Sequence, residues 1–277
     1  MNQIRTCPVC MHHCRLAPGQ LGRCRARKNE QGRIVSVNYG KVTALALDPI
    51  EKKPLRQFYP GSKILSVGSF GCNLSCPFCQ NHEISMHGEQ VADHVEMTPL
   101  QLADLAEEMQ KRGNIGVAYT YNEPLIGHEF VRDCAAIVHA RGMKNVVVTN
   151  GSVQLEILEA LLPDIDAMNI DLKGFTAAHY QRLGGDLPTV QEFIARAARS
   201  THVEVTTLIV PGENDTEEEM AAEAEWLASI DPQIPLHVTR FFPHYRMQER
   251  AATDIALIYR LREVASAYLP HVYVGNC

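Results

Sequence analysis

KILSVGSFGCNLSCPFCQN, residues 63–81, is the stretch that decides the fold, because an apolar run leads straight into three closely spaced cysteines. The first part, residues 63–70, predicts a buried strand of a parallel sheet. Cys72, Cys76 and Cys79 follow it with C-x3-C-x2-C spacing. Functional sites in parallel α/β folds lie where the strands end and the loops begin. The three thiols are therefore predicted to stand at a functional site.

The rest of the chain alternates strand patterns with helix patterns. Thr98-Pro99 predicts the start of a helix that ends at Gly113. Further strands are predicted at 115–120, 145–149, 166–172, 203–210, 235–241 and 271–274. Further helices are predicted at about 124–141, 153–161, 216–229 and 253–267, with helical segments up to about 200. The alternation predicts an α/β fold with parallel strands and helical crossovers, and it suits both an open doubly wound sheet and a partial barrel.

The first 60 residues follow a different pattern. They are rich in Cys, Gly, Arg and Lys, and they contain one strand-like run, RIVSVNY at 33–39. We expect residues 1–60 to form a small Cys-rich module that is appended to an α/β core at 61–277.

Composition and charge limit the classes of protein. Of the 277 residues, 45% are hydrophobic and 21% charged, which suits a domain with a large core and excludes disorder or a pure coiled coil. The net charge of −6 offers no basic surplus for nucleic acid. No apolar run approaches the roughly 20 residues of a membrane span, and the N-terminus lacks the apolar core of a signal peptide. We expect a cytoplasmic protein that binds neither nucleic acid nor membrane.

Polar residues follow five successive predicted strands. The strand ends read YTYNEP, TNG, DLKG, VPGEND and RFFPHY. The carboxyl ends of parallel strands meet at one edge of the sheet, so these residues predict one shared pocket. The alternative interpretation is that loops begin with polar residues in any case.

Thiolate chemistry indicates what the three-cysteine loop binds. Cysteine thiolates are the usual ligands of iron–sulfur clusters, and three of them can hold three irons of a [4Fe–4S] cube. The fourth iron is then open to a small chelating molecule, as open positions are in catalytic metal sites. Structural zinc is the alternative, with His82 or His87 as the fourth ligand.

A second group of cysteines lies near the N-terminus. The chain has nine cysteines, of which four fall in the first 24 residues: Cys7, Cys10, Cys14 and Cys24. Disulfides are rare in the cytosol, so clustered cysteines there suggest metal binding. Four thiolates can close a zinc site or hold a second iron–sulfur cluster, with His12 and His13 as further candidates. The alternative is that reduced cysteines pack there as small apolar groups.

These motifs resemble those of a known superfamily. C-x3-C-x-aromatic-C directly after the first strand of a β/α chain, with Phe78 at the aromatic position, is similar to the radical S-adenosylmethionine (SAM) superfamily. More narrowly, the sequence resembles the pyruvate formate-lyase-activating-enzyme-like group. Within that group it resembles the radical SAM component of the AmmeMemoRadiSam system. The segments that carry this narrower resemblance are DPIEKKPL (48–55), GCNLSCPFCQN, YTYNEP, VVTNG, NIDLKG and VPGEND.

The resemblance implies a partial (β/α)6 TIM-like barrel with a [4Fe–4S] cluster and SAM as cofactors. An electron from the cluster would cleave SAM to methionine and a 5′-deoxyadenosyl radical, which would take hydrogen from a protein or a small molecule. The implied partners are a reductant such as flavodoxin or ferredoxin, a possible protein substrate and AmmeMemoRadiSam partner proteins.

The same resemblance implies roles at the strand ends. Phe78 would pack near the adenine or shield the cluster. Glu123 would pair with the SAM ammonium, although Tyr-Asn-Glu-Pro stands here in place of a Gly-Gly-Glu type segment. Thr149 and Asn150 would contact ribose or carboxylate, and for Asn150 a local turn hydrogen bond is the alternative.

Two further pairs complete the implied site. Asp171 and Lys173 would line the methionine end of SAM, since residues two apart on a strand face the same side; a structural ion pair is the alternative. A monovalent cation can bind near this aspartate in relatives, but Val148 and Asn169 depart from the family residues there. Arg240 or His244 would touch SAM or an acidic substrate.

A second class of function is compatible with the cysteines alone. Seven clustered cysteines also suit a metal-binding electron carrier or a structural zinc protein without SAM chemistry. Such a protein would not require Glu, Asp and Lys at successive strand ends, which favours the enzyme.

Overall fold

The computed structural model describes residues 3–277. The strands are β1 (Arg5–Thr6), β2 (Arg15–Leu16), β3 (Arg27–Glu30), β4 (Arg33–Ser36), β5 (Lys41–Val42), β6 (Ala44–Pro49), β7 (Lys63–Gly68), β8 (Val95–Glu96), β9 (Asn114–Tyr119), β10 (Lys144–Thr149), β11 (Ala167–Asp171), β12 (His202–Ile209), β13 (Leu236–Arg240) and β14 (Val272–Gly275). The helices are α1 (His82–Ser85), α2 (Pro99–Glu108), α3 (His128–Ala140), α4 (Leu155–Leu161), α5 (Ala177–Leu183), α6 (Leu187–Ala197), α7 (Glu217–Ile230) and α8 (Ile255–Ser266).

Eight strands form the central sheet, in the order β14-β13-β12-β11-β10-β9-β7-β6. The strands from β7 to β14 in this sheet are parallel, and only β6 at the edge runs antiparallel, to β7. Six strand–helix units followed by β14 confirm the predicted partial (β/α)6 barrel. Within residues 3–277 no hydrogen-bonded pairing joins the edge strands β6 and β14, so the barrel is open along one side.

The sequence explains where the helix α2 begins and ends. Thr98 accepts a hydrogen bond from the backbone N–H of Gln101, and the Gln101 side chain accepts one from the backbone N–H of Thr98. This capping box, with Pro99 at the first position, satisfies N–H groups that have no partner inside the helix. After Glu108 the chain tightens into a 3-10 turn and stops at Gly113, which adopts a left-handed φ of +88°. The predicted start and end are confirmed.

Apolar residues cover both faces of the central strands. On β10, the neighbouring residues Val146 and Val147 point to opposite faces and are both fully buried. Burial on both faces is typical of parallel strands with helices outside and a filled interior. The near-continuous apolar runs of the sequence predict this type of sheet.

The N-terminal residues form small hairpins and contribute one strand to the core. β1 pairs with β2, and β3 pairs with β4, both antiparallel. β6 lies inside the predicted module of residues 1–60, but it hydrogen-bonds to β7 along its whole length. The module therefore extends the central sheet by one strand, and the boundary at residue 60 stays a prediction.

Among residues 3–277, no helix combines the length and the apolar character that crossing a bilayer requires.

Candidate active site

A cavity of about 540 Å³ lies at the carboxyl ends of the parallel strands. Its wall is formed by the loop after β7, by residues at the ends of β9, β10 and β11, and by residues of β12, β13 and β14. The segment 51–56 after β6 completes the wall. Parallel strands bring these ends together although they lie far apart in sequence.

The three loop cysteines lie next to one another in this wall. Cys76 is buried, while Cys72 and Cys79 are half-buried. Burial raises the pKa of Cys72 and of Cys79, and it raises the pKa of Cys76 to about 12. The charges of Cys76 and Cys79 add to the rise at Cys72, so the three sulfurs lie within reach of one another's charge. Together they can ionise only beside a cationic partner.

Two N–H groups face the first of these sulfurs. The backbone N–H of Leu74 donates to Cys72 Sγ over 3.4 Å, and Asn150 Nδ2 lies 3.6 Å from the same sulfur. Hydrogen bonds of this kind stabilise a thiolate. Asn150 follows β10, so the end of another strand helps to position the cysteine loop.

The donor set fits a [4Fe–4S] cluster with one iron left for a small molecule. All three cysteines line the same cavity, and cysteine thiolates are the usual ligands of such clusters. Phe78, 4% exposed, packs with Leu74 and Met247 and keeps water from the back of the loop. No three Cys, His, Asp or Glu side chains in residues 3–277 are arranged to hold a single metal ion. A four-iron cube accommodates a wider spacing of sulfurs than one ion does.

Glu123 links the ends of two strands and also lines the cavity. Its Oε1 accepts hydrogen bonds from Thr149 Oγ1 at 2.7 Å and from the backbone N–H of Leu125 at 2.9 Å, and its Oε2 accepts one from the backbone N–H of Asn150 at 2.8 Å. Burial raises its pKa to about 7, although these three hydrogen bonds oppose the rise. In the predicted contact, an ammonium group would donate to the lone pairs of the Glu123 oxygens that these three hydrogen bonds leave free.

Asn150 connects three segments of the site. Its Nδ2 donates to Asn73 Oδ1 at 3.0 Å, and its Oδ1 accepts from the backbone N–H of Ser152 at 2.9 Å. The second bond is the local turn that was the alternative for this residue. Asn150 and Thr149 both line the cavity as well, so the turn does not remove them from the site.

Asp171 and Lys173 form an ion pair in the cavity wall. Lys173 Nζ lies 2.8 Å from Asp171 Oδ2. Burial alone would lower the pKa of Lys173, but the charges of Asp171 and of the Cys76 and Cys79 thiols outweigh it and raise the pKa. The ammonium of Lys173 favours a thiolate at Cys76, and the carboxylate of Asp171 partly opposes this effect.

Val148 and Asn169 give no carboxylate near this pair. Val148 lines the cavity with an apolar side chain. Asn169 Nδ2 donates to the carbonyl oxygen of Pro54 at 2.8 Å and to Thr206 Oγ1 at 2.9 Å, so its amide is engaged in packing the interior.

Arg240 and His244 lie outside the cavity wall. Arg240 Nε donates to the carbonyl oxygen of Thr253 at 2.7 Å, and its guanidinium stacks on Phe242. His244 Nε2 lies 3.1 Å from the carbonyl oxygen of Gln80. Arg240 points to the outer side of β13, opposite to His237, as the alternation along a strand requires. Neither residue is therefore positioned to touch a ligand that binds wholly within the cavity.

The structure shows an acid–imidazole pair in the interior that the sequence reasoning missed. Glu204 on β12 is fully buried and accepts hydrogen bonds from the backbone N–H groups of Arg56 and Gln57. Its other contacts are His202 Nε2 at 3.0 Å and His237 Nε2 at 2.6 Å. His237 lines the cavity, so Glu204 fixes the orientation of a cavity residue. The available signal was that Glu204 is the one charged residue in the predicted strand at 203–210.

We expect Glu204 to govern the acid stability of the fold. Burial alone would raise the pKa of Glu204. Its hydrogen bonds outweigh this effect and lower the pKa from 4.5 to about 2. Because the folded-state pKa lies below the unfolded value, the carboxylate stabilises the protein above about pH 4.5, and this contribution is lost as the pH falls toward 2. Its size is about 3 kcal/mol. Glu204→Gln should lower the free energy of unfolding at pH 7 by this order, as measured by urea denaturation.

The control is Glu225→Gln, which changes an exposed glutamate on α7. It should unfold like the wild type at every pH. Equal pH profiles for wild type and Glu204→Gln between pH 5 and 3 would contradict this assignment.

Tyr121 is a second cavity residue that the sequence did not single out. It adopts a left-handed φ of +74°, which is uncommon outside glycine. Its hydroxyl donates to Asp48 Oδ2 at 2.8 Å, and the same oxygen accepts from Lys53 Nζ at 2.8 Å. A Cβ on Gly68 would come within 2.8 Å of the Tyr121 ring, so Gly68 makes room for it. Strained residues of this kind persist where the surroundings fix them, often at functional sites.

Comparison with known proteins agrees with this geometry. Residues 66–227, more than half of the chain, match the radical SAM superfamily. An uncharacterized protein of Methanocaldococcus jannaschii is 37% identical over 278 residues, covering 99% of this chain and 82% of that protein. The 4-hydroxyphenylacetate decarboxylase activating enzyme of Clostridioides difficile is 29% identical over 152 residues, 53% of this chain and 47% of that enzyme.

A solved structure shares the fold. A domain of pyruvate-formate lyase-activating enzyme from Bacteroides vulgatus superimposes with a TM-score of 0.51 at 21% identity, and the match covers 58% of this chain and 99% of that domain. Superfamily membership implies a [4Fe–4S] cluster and SAM. The three-cysteine loop at the end of β7, the cavity beside it and the match over 66–227 lead to one conclusion: this chain belongs to the radical SAM superfamily.

Proposed function

We propose that this protein is a radical SAM enzyme of the activating-enzyme type, which generates a radical on a protein substrate. The observation that carries the proposal is a single cavity lined by the three loop thiols and by polar groups from three successive strand ends. These polar groups are Glu123, Thr149, Asn150, Asp171 and Lys173. A simple electron carrier does not require a ligand-binding cavity beside its metal centre.

The cofactors supply the hard chemistry, and the chain supplies binding and orientation. When bound, the reduced [4Fe–4S] cluster cleaves SAM to methionine and a 5′-deoxyadenosyl radical that takes hydrogen from the substrate. In the proposal, Cys72, Cys76 and Cys79 hold the cluster as thiolates. Lys173 would offset part of the negative charge of these thiolates. This role is supported by the effect of its charge on Cys76 and Cys79, whose pKa values it lowers.

The chain's remaining cavity groups are proposed to bind SAM. Glu123 and Asp171 offer carboxylate oxygens to an ammonium group, and Lys173 offers a cation to a carboxylate. Thr149 and Asn150 hold Glu123 in place through the hydrogen bonds described above. Phe78 excludes water from the loop, which protects a reactive radical from solvent.

The substrate class is proposed from the relatives. Two similar proteins are named as activating enzymes, for benzylsuccinate synthase and for 4-hydroxyphenylacetate decarboxylase. By analogy the substrate is a protein and the electron comes from a small redox protein such as flavodoxin or ferredoxin. The narrower likeness to the AmmeMemoRadiSam component, with its partner proteins, stays a prediction.

The experiment is an anaerobic cleavage assay on the wild-type protein. After reconstitution with iron and sulfide, dithionite and SAM should give 5′-deoxyadenosine and methionine in equal amounts, quantified by liquid chromatography. Omitting dithionite is the control and should give neither product. A reconstituted, iron-loaded protein that binds SAM but forms no 5′-deoxyadenosine would refute the proposal.

A further inference from the structure

We propose that Cys7, Cys10, Cys14 and Cys24 bind a second iron–sulfur cluster, next to the three-cysteine loop. The inference is independent of the proposed function, because it concerns a different part of the chain. The backbone already gathers these four residues. β1 and β2 pair beside them, and the backbone N–H of Cys7 donates to the carbonyl oxygen of Cys14 at 2.9 Å.

The four thiols are near one another and mostly buried. Cys7, Cys10 and Cys24 are only 4%, 6% and 5% exposed. Cys10 lies in the turn between Cys7 and Cys14, where its carbonyl oxygen accepts a hydrogen bond from the backbone N–H of His13 at 3.1 Å. A Cβ on Gly22 would lie 3.8 Å from Cys14 Sγ, so that sulfur lies beside the segment that leads to Cys24.

A buried arginine provides the second, separate observation. Arg27 is 4% exposed, and its two terminal nitrogens bind the Glu129 carboxylate at 2.7 and 2.8 Å. In the described part of the chain its remaining N–H, at Nε, has no hydrogen-bond partner, and the guanidinium lies near the Cys7 thiol. An unpaired buried N–H is costly, and a metal-bound thiolate at Cys7 would put a negative charge beside it.

The position of the four cysteines favours a cluster over zinc, because their segment lies against the three-cysteine loop. Zinc has no redox chemistry, whereas a second iron–sulfur cluster beside the first would carry electrons.

The proposed second centre is fixed against the first. His12 Nε2 lies 2.8 Å from the carbonyl oxygen of Asn73, the residue after Cys72. Gly71, on the other side of Cys72, packs so tightly that a Cβ there would be 2.4 Å from the carbonyl oxygen of Cys24. Both contacts join residues that neighbour the two cysteine groups, so the two centres are adjacent.

The test counts iron, acid-labile sulfide and zinc in full-length protein after anaerobic reconstitution. Wild type should hold about eight irons and eight sulfides per chain, as two cubes require. The triple variant Cys72→Ala, Cys76→Ala, Cys79→Ala leaves the N-terminal cysteines untouched and should keep about half of both. After dithionite reduction, it should still show the electron paramagnetic resonance signal of a reduced cluster.

Cys10→Ala should lose the other half of the iron and sulfide. Cys134→Ala, which changes a buried cysteine on α3, should keep all of the iron and sulfide. If Cys10→Ala does not fold, the triple variant still decides, because it does not change the N-terminal module. A triple variant without iron, or one that carries about one zinc per chain in its place, would overturn the proposal.

Discussion

Replacing Cys76 with alanine is expected to abolish formation of 5′-deoxyadenosine and to remove the iron held by the loop. Cys76 is the most buried of the three loop thiols and lies next to the Asp171–Lys173 pair. Changes in the outer shell of a metal site typically cost 10–100-fold, so loss of a direct ligand should cost more than about a hundredfold. The measurement is 5′-deoxyadenosine per chain after reduction with dithionite in the presence of SAM, together with the iron count.

The matched control for this change is Cys134→Ala. Cys134 is fully buried in α3 and packs in the main core, far from the loop in sequence. Like Cys76→Ala, this substitution removes one sulfur atom from a buried position. It should therefore destabilise the fold slightly and leave product formation unchanged. Equal product from Cys76→Ala and wild type would mean that this thiol does not hold the cluster.

Gly71→Ala is expected to destabilise the fold and to lower iron binding at both cysteine groups. Gly71 has a left-handed φ of +86°, and its Cβ would lie 2.4 Å from the carbonyl oxygen of Cys24 and 3.2 Å from Ala26 Cβ. The backbone strain costs about 1–2 kcal/mol, and the steric overlap adds about 1–3 kcal/mol. The measurements are the thermal midpoint, which falls by about 2–4 °C per kcal/mol for a chain of this size, and the iron content.

Gly61→Ala separates the two contributions. Gly61 has a similar φ of +82°, but a Cβ there meets no atom within 4 Å. The control should therefore show only the strain and keep its full iron content. If Gly71→Ala and Gly61→Ala lower the midpoint equally, the N-terminal module does not press against the cysteine loop as the structure indicates.

Much of the fold could be predicted because the signals are local. The alternation of buried strands with capped helices follows from hydrogen bonding and burial within short segments, as at Thr98 and Gly113. The loop cysteines are recognisable because the three of them lie within eight residues of each other. Their chemistry depends on residue type and spacing, which the sequence states directly.

Other features depend on contacts between distant segments. Glu204 receives hydrogen bonds from Arg56 and Gln57, almost 150 positions earlier, so no local pattern reveals that its charge is satisfied inside the barrel. Arg240 looked like a ligand-binding group beside other polar residues. Its side chain instead reaches Thr253, because strand alternation turns it away from the cavity.

The sequence by itself determined the type of fold, the closely spaced thiols after the first core strand and the strand ends at which polar groups collect. Only the tertiary structure decided which of those groups share a cavity, that β6 joins the core sheet, and that the N-terminal cysteines lie against the three-cysteine loop. The physical reason is the range of the interactions. Periodic burial and capping act over a few neighbouring residues, whereas ion pairs, buried hydrogen bonds and close backbone contacts depend on how the whole chain packs.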